Sequence, residues 1–130
     1  MVETKFSFEK LAVWQEAREL VVECYSLVSK FPKEEKYALG DQIRRAVVSI
    51  ASNIAEGSGR VSLKEKMHFI EIAYGSLMEV YCQLQIASDL KFINETDFEN
   101  IKPRFSLISS MLTGLRSSFQ KRLTPNPLTS

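Results

Sequence analysis

Apolar residues recur along this chain at the spacing of a helix face, in four separate stretches. The first runs Val13, Ala17, Leu20, Cys24, Leu27 and Phe31, with steps alternating between four and three residues. Trp14, Val21, Tyr25 and Val28 widen this stripe, and Phe31-Pro32-Lys33 ends it, because proline restricts the residue before it and cannot continue a helical ladder. The second stripe is Ile43, Val47, Ile50 and Ile54, thickened by Ala46, Ser49, Ala51 and Ala55. It stops at Gly57-Ser58-Gly59, where glycine can take the left-handed conformation that ends helices.

The third stretch opens on Ser62-Leu63-Lys64-Glu65, a capping-box pattern. One stripe follows as Leu63, Met67, Ile70, Tyr74, Leu77, Tyr81 and Leu84. A second lies beside it as Phe69, Ala73, Ser76, Val80, Ala87 and Leu90. An arc this wide suits a central bundle helix or one that also meets another subunit. Thr96-Asp97-Phe98-Glu99 reads as a second capping box, followed by Phe98, Ile101, Phe105, Ile108, Leu112, Leu115 and Phe119. Pro103 interrupts that pattern, either as a kink or in the first turn of a helix that starts there.

The spacing thus predicts helices over roughly 8–30, 40–57, 62–91 and 97–123, in one domain spanning 1–123 with a flexible tail at 124–130. Short connections make successive helices antiparallel neighbours. The fold class is all-α, an up-down-up-down four-helix bundle. The length of 130 residues is enough for one self-sufficient core.

Composition changes this picture little: 45% hydrophobic, 25% charged and a formal net charge of +1. The charge is unevenly placed. No acid occurs from Lys102 onward, against Lys102, Arg104, Arg116, Lys121 and Arg122, so one end of the molecule is expected to be basic or simply solvated. Cys24 and Cys82 both fall on apolar stripes and read as buried thiols in a reducing compartment. No signal core or membrane-length apolar run is present, which makes the cytoplasm the expected location.

Catalytic signals are nearly absent. His68 is the only histidine, and Glu65 with His68 makes one Glu-x-x-His where a bundle di-iron site needs two. The expectation is no enzyme, no metal site and no cofactor. The more useful signal is basic: Arg44, Arg45, Arg60, Lys64 and Lys66 cluster in sequence around the second helix and the turn after it. Arginine forks and free helix-start N–H groups hold phosphate, which points to a nucleic-acid-binding patch. The competing reading is salt bridging to Asp41, Glu56 or Glu65.

The second helix also carries the string Gln42-Ile-Arg44-Arg45-Ala46-Val-Val-Ser49-Ile50-Ala-Ser-Asn53-Ile54-Ala55-Glu56-Gly57, with Phe31-Pro32 before it and Ile72-Ala73-Tyr74-Gly75-Ser76-Leu77 after. Over roughly residues 6–123 the chain resembles the four-helix-bundle family named for proteins encoded in 23S rRNA intervening sequences. It is similar as well to the accessory variability proteins of diversity-generating retroelements. The resemblance implies a bacterial protein and a closed homopentamer. From the retroelement relatives it implies binding of nucleic acid and of a protein partner such as a reverse transcriptase.

Read physically, Ser49 and Asn53 with Ala46 make a narrow, partly polar seam, and Gln42, Ser49, Asn53, Glu56 and Gly57 are expected to encode assembly. Glu56, near a helix C-terminus, needs a cation, and Arg45 or Arg60 is placed to supply one across a subunit contact. Two functions follow. The leading one is a non-enzymatic oligomeric scaffold binding RNA or a ribonucleoprotein. The other is a purely structural homo-oligomeric module that docks a protein partner without nucleic acid.

Overall fold

A computed structural model of the chain describes residues 6–124. Four long helices carry the architecture: α1 (Ala12–Val28), α2 (Leu39–Ser58), α3 (Leu63–Asp89) and α4 (Glu95–Leu123). A 3-10 turn at Ser7–Lys10 precedes α1, and a single helical turn at Lys33–Lys36 sits between α1 and α2. The helices alternate in direction, with α2 packed on α1 and α3, and α4 closing the bundle against α3 and α1.

The periodic residues meet on one axis. Leu20 and Cys24 from α1, Ile43, Val47, Ile50 and Ile54 from α2, Leu77, Val80 and Leu84 from α3, and Ile108 and Leu112 from α4 are all fully buried. The core stripe of α3 draws on both apolar arcs. It runs Met67, Ile70, Ala73, Leu77, Val80, Leu84 and Ala87, while Tyr74 and Leu90 face out. Cys24 lies in this core, where burial first and the neighbouring Glu23 second push its thiol up to about 12. Cys82, expected to be buried, is exposed on the far side of α3. The bundle buries the strip between the two arcs, and Cys82 lies on neither of them.

Several ends differ from the sequence expectation. The region from residue 8 is not yet α1, because Leu11 is extended (φ −74°, ψ 124°). Local bonds hold that break: the Glu9 carboxylate accepts from the Phe6 N–H at 2.9 Å, and Gln15 Nε2 donates to the Glu9 carbonyl at 2.9 Å. Ser62 caps α3 as expected, accepting from the Glu65 N–H at 3.3 Å. The cap of α4 is Asn94, whose side chain accepts from the Asp97 N–H at 2.7 Å, and not Thr96. Asn94 wins because it sets buried Ile93 and Phe98 at the two positions of a hydrophobic staple. A cap at Thr96 would put Glu95 and Asn100 there instead.

Pro103 neither starts nor ends α4, which is continuous from Glu95 to Leu123. Its ring faces solvent, and only the Glu99 carbonyl loses its usual helical donor. No described glycine takes a positive φ. The α2 terminus at Ser58 is followed by Gly59 at φ −85°, so left-handed glycine does not end this helix.

The left-handed residue is Lys91, φ 63°, after α3. There the Phe92 N–H donates to the Ala87 carbonyl at 2.9 Å and the Lys91 N–H to the Ser88 carbonyl at 3.0 Å, a Schellman closure built without glycine. The Cβ of Lys91 is disfavoured in this conformation. Lys91→Gly is expected to stabilise the fold by about 1 kcal/mol, raising the melting temperature by about 4 °C. A melt of the variant at or below the parent would show that the closure is not strained.

Candidate nucleic-acid interface

Two polar residues of the α2 motif, Gln42 and Ser49, bond across to α3. Ser49 Oγ and Ser76 Oγ share a hydrogen bond of 2.9 Å. Asn53 Nδ2 donates to the Ser49 carbonyl at 2.8 Å and to its hydroxyl at 2.9 Å. One end of the seam is set by Gln83, the one buried polar side chain among the described residues. Its Nε2 donates to Gln42 Oε1 and Glu79 Oε1, each at 3.3 Å. At the other end Gly57 is buried, and a Cβ added there would stand 2.8 Å from the Cβ of Phe69. Gln42, Ser49 and Gly57 therefore join two helices of the same chain, and Asn53 holds Ser49 in place from within α2. Glu56 finds its cation within the chain as well: Arg60, one turn on, donates to it at 2.8 Å.

The basic residues that cluster in sequence separate in space. Arg44 and Arg45 lie near the start of α2, Arg60, Lys64 and Lys66 beyond its end. At 1.5 Å per residue the two groups stand about 22 Å apart. Arg44 is half-buried, donates to the Lys36 carbonyl at 2.7 Å, pairs with Asp41 and lies 6.0 Å over the Tyr25 ring. It clamps the α1–α2 connection. Arg45 is exposed beside it in a shallow cleft with Tyr25 and Val48.

At the opposite end Arg60 also reaches Glu65 at 3.8 Å and stacks 4.8 Å over Phe69. Lys66 donates to the Ser58 carbonyl at 3.2 Å, satisfying the end of α2. Lys64 is exposed. His68 is exposed too, with its ring 5.7 Å from that of Phe69, while the Glu65 of the Glu-x-x-His pair turns to Arg60.

The antiparallel order gathers a different set. The 3-10 turn, the end of α2, the start of α3 and the end of α4 all lie at one end of the bundle. That end carries Lys10, Arg60, Lys64, Lys66, Lys121 and Arg122 against Glu9, Glu56 and Glu65, so cations dominate it. The other C-terminal bases are neutralised within the chain. Lys102 pairs with Glu99 at 2.7 Å, Arg104 with Glu16 at 2.7 Å and with Glu23, and Arg116 with Glu71 at 2.7 Å. Lys121 and Arg122 pair with no acid among the described residues, and the Arg122 guanidinium lies 5.9 Å from the Phe119 ring centre. Reading the cluster along the chain joined Arg44 to Lys66, left Lys121 and Arg122 in a separate acid-free stretch and missed Lys10. An even number of antiparallel helices is what brings the chain's two ends and the α2–α3 turn to the same pole.

In the middle of this cationic end is a pocket of about 270 Å³, walled by Leu11, Ile54, Leu115 and Phe119 and lipped by Lys66. The groups named here offer hydrogen bonding, charge and apolar contact. Among the described residues no three His, Cys, Asp or Glu side chains come together. No described helix is long and apolar enough to cross a membrane.

The sequence profile of the 23S rRNA-intervening sequence proteins matches residues 9–114, which takes in the whole α2–α3 seam. The chain belongs to that family. The fold is shared with a crystal structure from Bacteroides thetaiotaomicron, described as a protein of unknown function from the S23 ribosomal protein family. The TM-score is 0.75 at 21% identity, over 81% of this chain and 98% of the other. No curated protein matches the sequence.

In this intervening-sequence protein the close approach at Gly57 is the tightest point of the seam. Gly57→Ala is expected to destabilise the fold by about 1–2 kcal/mol, because the new methyl meets a Cβ that cannot swing away. Gly114→Ala, whose added Cβ meets nothing, should gain about 1 kcal/mol from helix propensity alone. Denaturant unfolding of the two variants checks this pair of opposite signs. A stabilised Gly57→Ala would show that the seam is looser than described.

Proposed function

We propose that this protein is a non-enzymatic, cytoplasmic, oligomeric scaffold that binds RNA through the cationic end of each bundle. The observation that carries the proposal is the convergence of Lys10, Arg60, Lys64, Lys66, Lys121 and Arg122 on one end by the antiparallel topology. Arg44 and Arg45 lie outside this surface, and Arg44 serves the fold. Membership of a family named for 23S rRNA intervening sequences agrees with an RNA ligand. The likeness of the α2 motif to retroelement accessory proteins extends the ligand class to a ribonucleoprotein, with a reverse transcriptase as one kind of protein partner.

Changing Lys64, Lys121 and Arg122 together to glutamine should weaken binding of single-stranded RNA and lower the salt slope by about 2, at about 0.7 for each phosphate neutralised. Mass and melting should stay at the parent values. Arg44→Gln should do the reverse, lowering the melting temperature with little effect on RNA. Absence of RNA binding by the parent at low salt would end this reading and favour the protein-docking module.

Oligomerisation rests on the outward face of α3. Ile72, Met78 and Ile86 are 38%, 42% and 42% exposed there, in line with His68, Gly75 and Cys82. A glycine inside an exposed helix costs about 1 kcal/mol relative to alanine. A Cβ at Gly75 would meet nothing among the described residues, so no contact described within the subunit calls for a glycine there. Close approach of a second copy supplies a reason, and a ring would multiply a weak RNA contact by avidity. A homopentamer, the state implied by the family resemblance, would scatter as five times the 14.8 kDa chain. Thiol labelling of Cys82 should slow as the concentration rises through association. A clean monomer mass at micromolar concentration, or labelling independent of concentration, would refute assembly through this face.

A further inference from the structure

We propose that the apolar pocket at the cationic end receives an unpaired nucleobase, which makes the preferred ligand single-stranded RNA; this rests on the RNA reading above and narrows it. The pocket sits among the cations, with Leu11, Ile54, Leu115 and Phe119 as walls and the Lys66 ammonium at its lip. Arg122 stands over the outer ring, Phe119. A ligand that is anionic along its length and carries flat apolar groups on short arms matches this arrangement. Its phosphates face Lys64, Lys66 and Arg122, while one base leaves water against the Phe119 ring.

The volume supports one ring system. About 270 Å³ falls just below the roughly 300 Å³ at which sites for drug-sized ligands begin. Of the polar side chains lining the cavity, the Ser58 hydroxyl donates to the Ala55 carbonyl at 2.9 Å and Lys66 to the Ser58 carbonyl, which leaves the exposed Ser7 hydroxyl as the one group placed to read a base. The walls thus offer stacking and apolar contact and little hydrogen-bond readout, so base identity matters little. Double-stranded RNA keeps its bases stacked on one another and can reach only the cations.

Fluorescence anisotropy at low salt would compare three probes with the full chain: a short oligouridylate, an abasic strand of the same length and phosphate count, and an RNA duplex. The base-bearing strand should bind about ten-fold tighter than the abasic one, towards the low end of what a single stacked base contributes. Leu115→Phe, which fills the pocket without altering charge, should bring the oligouridylate down to the abasic affinity while leaving the abasic affinity and the melting temperature unchanged. Should that variant fail to fold, Phe119→Leu removes the stacking ring at the same charge and should close most of the same gap. Equal binding of base-bearing and abasic strands by the parent would overturn the base pocket while leaving the cationic end standing as a phosphate-binding surface. Binding of neither strand would overturn both.

Discussion

The rest of the structure depends on how closely α2 lies against α3. A serine pair, an asparagine folded back on its own helix and a glycine against Phe69 replace the large side chains that normally hold helices apart. Directional bonds along the seam fix the rotation of α2 about its axis as well as its distance. That rotation sends Ile43, Val47, Ile50 and Ile54 to the core together. A second glycine tightens the other end of α2, where a Cβ at Gly40 would stand 2.8 Å from Val28 Cγ1. The helix is held at both ends by absent side chains and along its middle by hydroxyls and amides. The α2 motif is thus mainly internal carpentry, and the exposed chemistry lies elsewhere.

Buried polar bonding of this kind adds specificity more than stability. Gln83 illustrates the cost. Its Nε2 is shared between Gln42 and Glu79 at long range, and its Oε1 has no hydrogen-bond partner among the described residues. An apolar residue at that position would pack without such a demand, but it would not report whether α2 and α3 are in register. The double pairing of Arg104 with Glu16 and Glu23 does a related job between α1 and α4, in a half-exposed setting where the ions keep much of their hydration.

The four helices were legible because each carries enough turns for the 3.6-residue period to stand out, and the fold class followed from the short links. What was not legible came from competition between nearby signals of equal quality. Asn94 and Thr96 can both cap a helix, and only the burial of Ile93 and Phe98 decides between them. The apolar positions on α3 span so wide an arc that they do not mark its outer edge, and Cys82, among exposed Met78 and Ile86, falls outside the buried strip. The basic cluster failed for a geometric reason. Residues 44 to 66 are close in sequence, yet the last fourteen residues of α2 separate Arg44 from the far end of that helix, whereas residues 66 and 122 share one end of the bundle because α4 runs back along α3. Periodicity reports which face of a helix a residue occupies and says nothing of which other helix ends beside it.

An even number of antiparallel helices has a practical consequence. Phe6 and Thr124, the first and last described residues, both belong to the end of the bundle that carries the cations. Whatever is joined directly to Phe6 or Thr124, whether an affinity tag, a fluorophore or a fused domain, starts from that face. A hexahistidine extension would add its own charge there, and an acidic solubility tag would neutralise the field it was meant to leave alone. The link between α1 and α2, residues 29–38, lies at the opposite pole and is the neutral place for a reporter.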